Sequence, residues 1–268
     1  MVGTLDIDID AVISLMRAVA EAEILPRFRK LDDAHSWEKR PGSIVTVADQ
    51  AAEAALEAGL RDILPGSAVV GEEAVEQAPS ILDALNEPGP VWIVDPIDGT
   101  ANFADGKECF VVIISLAIDG ETEAGWIYDP NADSIAHARR GAGAWRDGRP
   151  MHVPAPIPDA EMSGAYGWRL RKDKAFDGRF KRSTYRRCCG ADYLALGAGE
   201  THFAFYRSLK PWDHAAGQLI HSEAGGYNAC VDGTAYRPGR KKQEGLLLAP
   251  ARETWTSLAG DIRRALEI

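Results

Sequence analysis

Two hundred and sixty-eight residues carry 40 Asp and Glu against 30 Lys and Arg, a formal net charge of −10, with 46% hydrophobic and 26% charged residues. This is the composition of an ordinary globular chain, enough for one large domain or two intimately packed halves, and it excludes wholesale disorder. The acidity is the reverse of a nucleic-acid binder's footprint, which works by neutralising phosphates, so nucleic acid is not an expected partner.

The chain opens on MVGTLDIDID, acidic where a signal or transit peptide would be basic, and a cytoplasmic location is expected. The first forty residues read as a helix. Asp8 or Asp10 caps it, Ile9, Ile13, Met16, Ala20 and Ile24 recur at spacings of three and four, and Pro26 kinks or ends it. A second helix, rich in Ala, Leu and Glu, is predicted from about Ala48 to Leu64 and stops before Pro65-Gly66. Strands follow at Ala68–Val70 and Val91–Val94, the latter closed by Asp95-Pro96. Phe110–Ile118 is a buried β-type run, about half the length a membrane-spanning helix needs. Asp119-Gly120 then turns the chain into Glu123–Tyr128, and Asp147-Gly148 and Asp232-Gly233 are two further turns. The Pro-rich passage Val153–Pro158 is the candidate boundary between an N-terminal half (1–152), carrying most of the candidate ligands, and a C-terminal half (153–268) that completes the site. Beyond it come a strand at Ser163–Trp168, a basic stretch, a helical segment around Asp192–Ala198, a helix over Asp213–Ala224 and a last amphipathic helix over Glu253–Leu266. Helices and strands interleave in both halves, so the fold class is mixed α and β.

Four cysteines, two of them adjacent (Cys188 and Cys189), and no C-x-x-C argue for a reduced protein without a disulfide scaffold. Six scattered histidines show no zinc-site spacing, and no G-x-S-x-G anchors a serine hydrolase. The chemistry gathers instead in Trp92-Ile-Val-Asp95-Pro-Ile-Asp98-Gly-Thr100. An apolar strand delivers Asp95, Asp98 follows three residues later, and Gly99-Thr100 opens a helix whose free N–H groups suit a phosphate. Two carboxylates beside an anion seat would repel the anion, whereas with Mg²⁺ between them the arrangement attracts it. Val69-Val-Gly-Glu72-Glu73 places a carboxylate at another strand end, Val45-Thr-Val-Ala-Asp49 and Pro211-Trp-Asp213 place them at two helix starts, and Glu73 is read as solvated. Taken singly, Asp49 and Asp213 are ordinary helix caps.

Jointly these motifs, with Trp212-Asp213-x-Ala-Ala-Gly217 and Glu223-Ala-Gly-Gly226, resemble the inositol monophosphatase family of Mg²⁺-dependent, lithium-sensitive phosphatases. Relatives of that family include fructose-1,6-bisphosphatases, bisphosphate nucleotidases and some histidinol-phosphatases. The resemblance implies an α+β fold, the layered αβαβα sandwich of the sugar phosphatases, often as a homodimer. It implies that Glu72, Asp95 and the Ile97 carbonyl hold an activating metal, that Asp95, Asp98 and Asp213 hold a second, and that a third sits near Glu72, two to three Mg²⁺ in all. Thr100 and Glu72, helped by Asp49, would position and deprotonate the attacking water. Asp98, Gly99, Thr100, Gly190, Ala191, Asp192, Tyr206 and Asp213 would contact the substrate.

The chain departs from that pattern on the leaving-group side. Tyr206 stands where inositol-hydrolysing members usually carry Glu, the substrate loop reads Gly190-Ala191-Asp192, and Glu38 with Lys39 replaces a single Lys. Between Arg169 and Arg187 lie nine Lys/Arg and two Asp, a local +7. This is either a solvated face or a seat for a second anion on Arg169, Arg186, Arg187 or Lys210. The expected activity is a phosphoric monoester hydrolase acting on a small polyol or sugar phosphate such as inositol 1-phosphate. The alternatives are a bisphosphatase or histidinol-phosphatase using the same site, and a non-enzymatic, metal-binding regulatory relative.

Overall fold

The computed structural model describes residues 7–30, 36–40, 43–172, 176 and 178–268. Helix α1 (Ile9–Val19) starts where Asp8 accepts the Ala11 N–H at 2.9 Å; it buries Val12, Met16 and Val19 and runs on as a wider turn over Ala20–Ile24. A single helix over the first forty residues is not what forms. An antiparallel pair, β1 (Ser36–Arg40) and β2 (Ser43–Thr46), precedes α2 (Val47–Ile63). The helix ends at Leu25, just before Pro26, and residues 36–40 pair instead with the β-branched run Ile44-Val45-Thr46, whose side chains favour extended backbone. The side chains of Glu38 and Lys39 lie outside what the structure describes.

The first half continues through β3 (Ala68–Gly71), α3 (Glu72–Gln77), β4 (Pro90–Asp98), α4 (Thr100–Ala104), β5 (Val111–Ile118), β6 (Glu121–Asp129), β7 (Ser134–Arg139), β8 (Ala144–Arg146) and β9 (Arg149–Pro150). Strands β3 to β9 form one sheet in chain order, with only β3 and β4 parallel. Asp119-Gly120 and Asp147-Gly148 both have positive φ at both residues, as two-residue hairpin turns require. Pro96 does not end its strand. Pairing with β5 breaks after Asp95 opposite Ile113 and resumes at Asp98 opposite Val111, so the proline without an N–H sits in a bulge and β4 runs four residues further than predicted.

The second half holds β10 (Ser163–Tyr166), α5 (Trp168–Lys172), β11 (Arg182–Thr184), α6 (Cys189–Gly197), β12 (Phe203–Tyr206), α7 (Pro211–Glu223), β13 (Tyr227–Cys230), β14 (Leu246–Ala249) and α8 (Arg252–Leu266). Its sheet has the order β11-β10-β12-β14-β13. Strand alternation assigns each side chain to a layer. Trp92 and Val94 of β4 pack with α1 and α2, while Ile93 faces the central layer of α6 and α7. Leu246 and Leu248 of β14 meet that central layer from the other sheet, and Leu247 and Ala249 face α8. The result is the α-β-α-β-α sandwich. Among the described residues no helix is long and apolar enough to cross a membrane.

Small residues let α7 approach its neighbours closely at two points. A Cβ on Gly125 of β6 would lie 2.7 Å from Ala216 Cα in α7, and one on Gly217 would lie 2.2 Å from the Tyr193 ring. Glu223 at the end of α7 accepts the Gly141 and Gly143 N–H groups at 2.9 Å each, tying the helix to the first sheet. Replacing Gly125 by Val should therefore destabilise the protein by about 1–3 kcal/mol through overpacking, read as a lower urea midpoint with unchanged m. An unaltered midpoint would show that α7 is not seated on β6 in this way.

Candidate metal centre

Strand register brings the acidic residues together. Gly71 pairs with Val94 in the parallel β3–β4 ladder, so Glu72, the next residue along, emerges beside Asp95. Asp98 ends β4, Asp213 lies in the first turn of α7, and Asp49 in the first turn of α2. Asp49 is the N3 residue of a capping box whose N-cap is Thr46, and its Oδ2 accepts the Thr46 N–H at 2.8 Å and hydroxyl at 2.5 Å. Its other oxygen faces Thr100, whose hydroxyl lies 3.1 Å from Asp49 Oδ1 and 2.9 Å from the Ile97 carbonyl. One carboxylate thus both starts a helix and reaches the centre. Gly99 carries φ +94°, and a Cβ there would meet the Cys109 carbonyl oxygen at 2.8 Å, so the turn between Asp98 and Thr100 requires glycine. The helix it opens, α4, is a single short turn.

Asp98 Oδ2 accepts the Gly190 N–H at 2.6 Å and the Cys188 thiol at 3.2 Å, which fixes α6 against β4. Gly190 itself is confined, since a Cβ would lie 2.4 Å from Val111. Burial pushes Asp95 well above the usual carboxylate range, and Glu72, Asp98 and Asp213 push it further. Asp213 is raised in the same way by burial, Asp98 and Glu72, against the opposing pull of Lys210. Asp98 is raised by burial despite its hydrogen bonds from Gly190 and Cys188. Among the described residues none of Asp95, Asp98 and Asp213 makes an ion pair. Mutually repelling carboxylate oxygens, buried at Asp95 and Asp98 and half-buried at Asp213, are the donor set a hard divalent ion takes, so these residues fit Mg²⁺.

Three residues of this region escape the sequence reading. Glu53 is buried one turn after Asp49 on α2, and its carboxylate accepts the Glu73 and Ala74 N–H groups at 2.8 Å each, capping α3 from outside. Gly71 makes room for it, because a Cβ there would lie 2.3 Å from the Glu53 carboxyl carbon. The spacing of four from Asp49 to Glu53 was the available signal. Glu73, read as solvated, is 5% exposed, because α3 turns it back towards Asp49 and Glu53, whose pKa values it helps to raise. Cys189 offers its Sγ with Asp98 and Asp213, all three ligand atoms lying within 4.8 Å of one another. Burial and the neighbouring carboxylates keep this thiol protonated, and it donates to the Asp213 carbonyl at 3.1 Å.

Asp98 and Asp213 open on a cavity of about 350 Å³ that Asp192 and Tyr206 also line; Gly190 and Ala191 precede Asp192 in the first turn of α6. Asp192 is paired with Arg186 at 2.8 Å, and Tyr206 Oη lies 3.5 Å from its other oxygen. The candidate second-anion residues separate. Arg186 is held by Asp192 and, at 3.6 Å, by Glu200; Arg187 faces Asp105 at 3.8 Å; Lys210 lies over the Trp212 ring at 5.1 Å. Arg169 lines the cavity, and so does Arg207, which the sequence reading did not single out; neither makes an ion pair among the described residues. All four cysteines are free.

Comparison with known proteins gives one family and one fold. Residues 5–267 match the family described as "Inositol monophosphatase family". An inositol-1-monophosphatase of Mesorhizobium japonicum is 34% identical over 208 residues, 73% of this chain and 75% of the relative. A protein of Vibrio cholerae named Nus factor SuhB is 32% identical over 223 residues, 78% of this chain and 81% of the relative. The solved structure of an IMPase from Thermotoga maritima superimposes with a TM-score of 0.82 at 24% identity, over 96% of this chain and 97% of that one.

Burial lifts Glu53 from 4.5 to about 7. A carboxyl whose pKa is higher folded than unfolded costs stability as it ionises, so the metal-free protein should lose stability as pH rises from about 4.5 through 7. Glu53→Gln should flatten part of that slope in urea titrations at several pH values. An unchanged slope would remove Glu53 as a source.

Proposed function

Because the chain belongs to the inositol monophosphatase family, we propose that it is a cytoplasmic, Mg²⁺-dependent phosphomonoesterase acting on a small phosphorylated molecule. The observation that carries this reading is the meeting of Asp95, Asp98 and the half-buried Asp213, none of them in an ion pair among the described residues, beside the Asp49–Thr100 hydrogen bond. In this reading Glu72, Asp95 and the Ile97 carbonyl, and then Asp95, Asp98 and Asp213, hold two of two to three Mg²⁺. The bound ions supply neutralisation of the phosphate charge and of the charge that develops on the leaving oxygen. The chain's own residues orient and deprotonate. Thr100, its hydroxyl set between Asp49 and the Ile97 carbonyl, orients the attacking water, and Glu72 and Asp49 take up its proton. Asp49, lifted to about 7 chiefly by burial, is suited to accept a proton near neutral pH. Backbone N–H groups of Gly99 and Thr100 add to the seat for the phosphate. The halves 1–152 and 153–268 act as one unit, since Asp213 comes from the second and the other ligands from the first. Homodimer formation and inhibition by lithium belong to the same reading through family membership.

A second reading is a metal-binding regulatory protein, favoured by relatives that carry the name Nus factor SuhB. With that name among the relatives, the exclusion of nucleic acid rests on the charge of −10 alone and is part of the proposal. Phosphate release from a panel holding inositol 1-phosphate, fructose 1,6-bisphosphate and a 3′,5′-bisphosphate nucleotide decides between the two. The phosphatase reading expects release with Mg²⁺, none with EDTA, and a loss of about a hundredfold or more in Asp95→Asn and Thr100→Ala. No release from any ester would favour the regulatory reading.

A further inference from the structure

Carboxylate and imidazole acceptors free for polyol hydroxyls are few in the cavity beside Asp98 and Asp213, whose other polar walls are the guanidiniums of Arg169 and Arg207 and the hydroxyls of Tyr166, Tyr185 and Ser208. Asp192 is occupied by Arg186 at 2.8 Å, and both nitrogens of His214 are used, by Tyr193 Oη at 3.0 Å and the Ser208 carbonyl at 2.9 Å. Phe205, Leu170 and Leu266 on its walls offer no polar atom. A hydroxyl buried against them would lose its water partners without replacement.

The walls are suited to a flat ring instead. Tyr166, Tyr185, Phe205 and Tyr206 all line the cavity. Tyr185 stays 63% exposed, and the Arg171 guanidinium sits 5.3 Å from its ring centre and 5.8 Å from that of Tyr166. Arg171 Nε in turn donates to the Tyr166 carbonyl at 3.2 Å, so an open aromatic face is held on a cationic shelf at the cavity wall. Arg169 and Arg207, without ion pairs among the described residues, add positive charge to the same walls.

We propose that the alcohol half of the substrate carries a flat aromatic ring, uncharged or anionic, which binds in this cavity against Tyr185 and Tyr206 while the phosphate lies at Asp98 and Asp213. This rests on the phosphomonoesterase reading and names its substrate class. A cavity of about 350 Å³ holds one ring and its linker. The unpaired arginines select against a cationic ring system.

Benzyl phosphate and cyclohexylmethyl phosphate present similar alkoxide leaving groups and differ in the ring, so comparing them with inositol 1-phosphate isolates the aromatic contribution. With Mg²⁺ present, kcat/KM for benzyl phosphate should exceed both of the others by about tenfold, carried mainly in KM. Tyr185→Ala should bring the benzyl-to-cyclohexylmethyl ratio close to one, and Tyr185→Phe should keep it. A 4-carboxybenzyl ester should be preferred over a 4-(aminomethyl)benzyl ester. Equal or better turnover of inositol 1-phosphate, or a benzyl-to-cyclohexylmethyl ratio of about one in the wild-type protein, would overturn the proposal. If no ester is hydrolysed, the phosphatase reading fails, and calorimetric titration with benzylphosphonate and cyclohexylmethylphosphonate then tests the cavity by itself. Tighter binding of the aromatic phosphonate supports the proposal; equal or absent binding overturns it.

Discussion

The repulsion among buried carboxylates is the constraint around which the rest of the molecule is arranged. Asp95 and Asp98 are withdrawn from water and Asp213 is half-buried beside them; burial drives each towards its neutral form, and the neighbouring carboxylates add to this for Asp95 and Asp213. No packing argument favours such a group; a core of apolar residues would be more stable. The arrangement makes physical sense when a divalent ion supplies the missing charge. Half of the chain's formal −10 equals the charge of Asp49, Glu72, Asp95, Asp98 and Asp213 together. The overall acidity is therefore compatible with an anionic substrate, provided that those five are matched by cations.

Holding the carboxylates in place falls to the most rigid parts of the fold. The β3–β4 register sets Glu72 beside Asp95, a bulge at Pro96 lets β4 present both Asp95 and Asp98, and the close glycine- and alanine-lined contact of α7 with β6 brings Asp213 up to them. Glu53 shows the same economy, since the carboxylate that caps α3 also determines where the chain leaves β3 towards Glu72. Asp49 goes further, closing the capping box of α2 with one oxygen and meeting Thr100 with the other. A group with two such duties explains why cap and catalytic candidate looked alike in the sequence.

What was legible follows from how local the information is. The Asp95-Pro-Ile-Asp98-Gly-Thr100 segment combines residues with exceptional backbone demands, so its turn and its paired carboxylates could be read without neighbours, as could the two Asp-Gly hairpins. The layered sandwich came through resemblance, and strand alternation in β4 and β14 bears it out. The missed features depend on distant partners. Glu73 is buried because α3 packs against α2, and Glu53 becomes a cap for a helix twenty residues away. Arg186 is withdrawn from the candidate anion seat by Asp192, a pairing that the +7 of the surrounding stretch conceals. The aromatic lining of the cavity joins Tyr166, Tyr185 and Phe205 from three separate elements, none of which signals it alone.

The central claim is that the carboxylate cluster exists to hold divalent ions. Anomalous diffraction from crystals grown with Mn²⁺ in place of Mg²⁺ tests it directly, because Mn²⁺ shares the preference for oxygen ligands and scatters anomalously. At least two peaks are expected, one shared by Glu72 and Asp95 and one by Asp95, Asp98 and Asp213. Full Mn²⁺ exposure with no peak among these residues, or with peaks only elsewhere on the acidic surface, would contradict it.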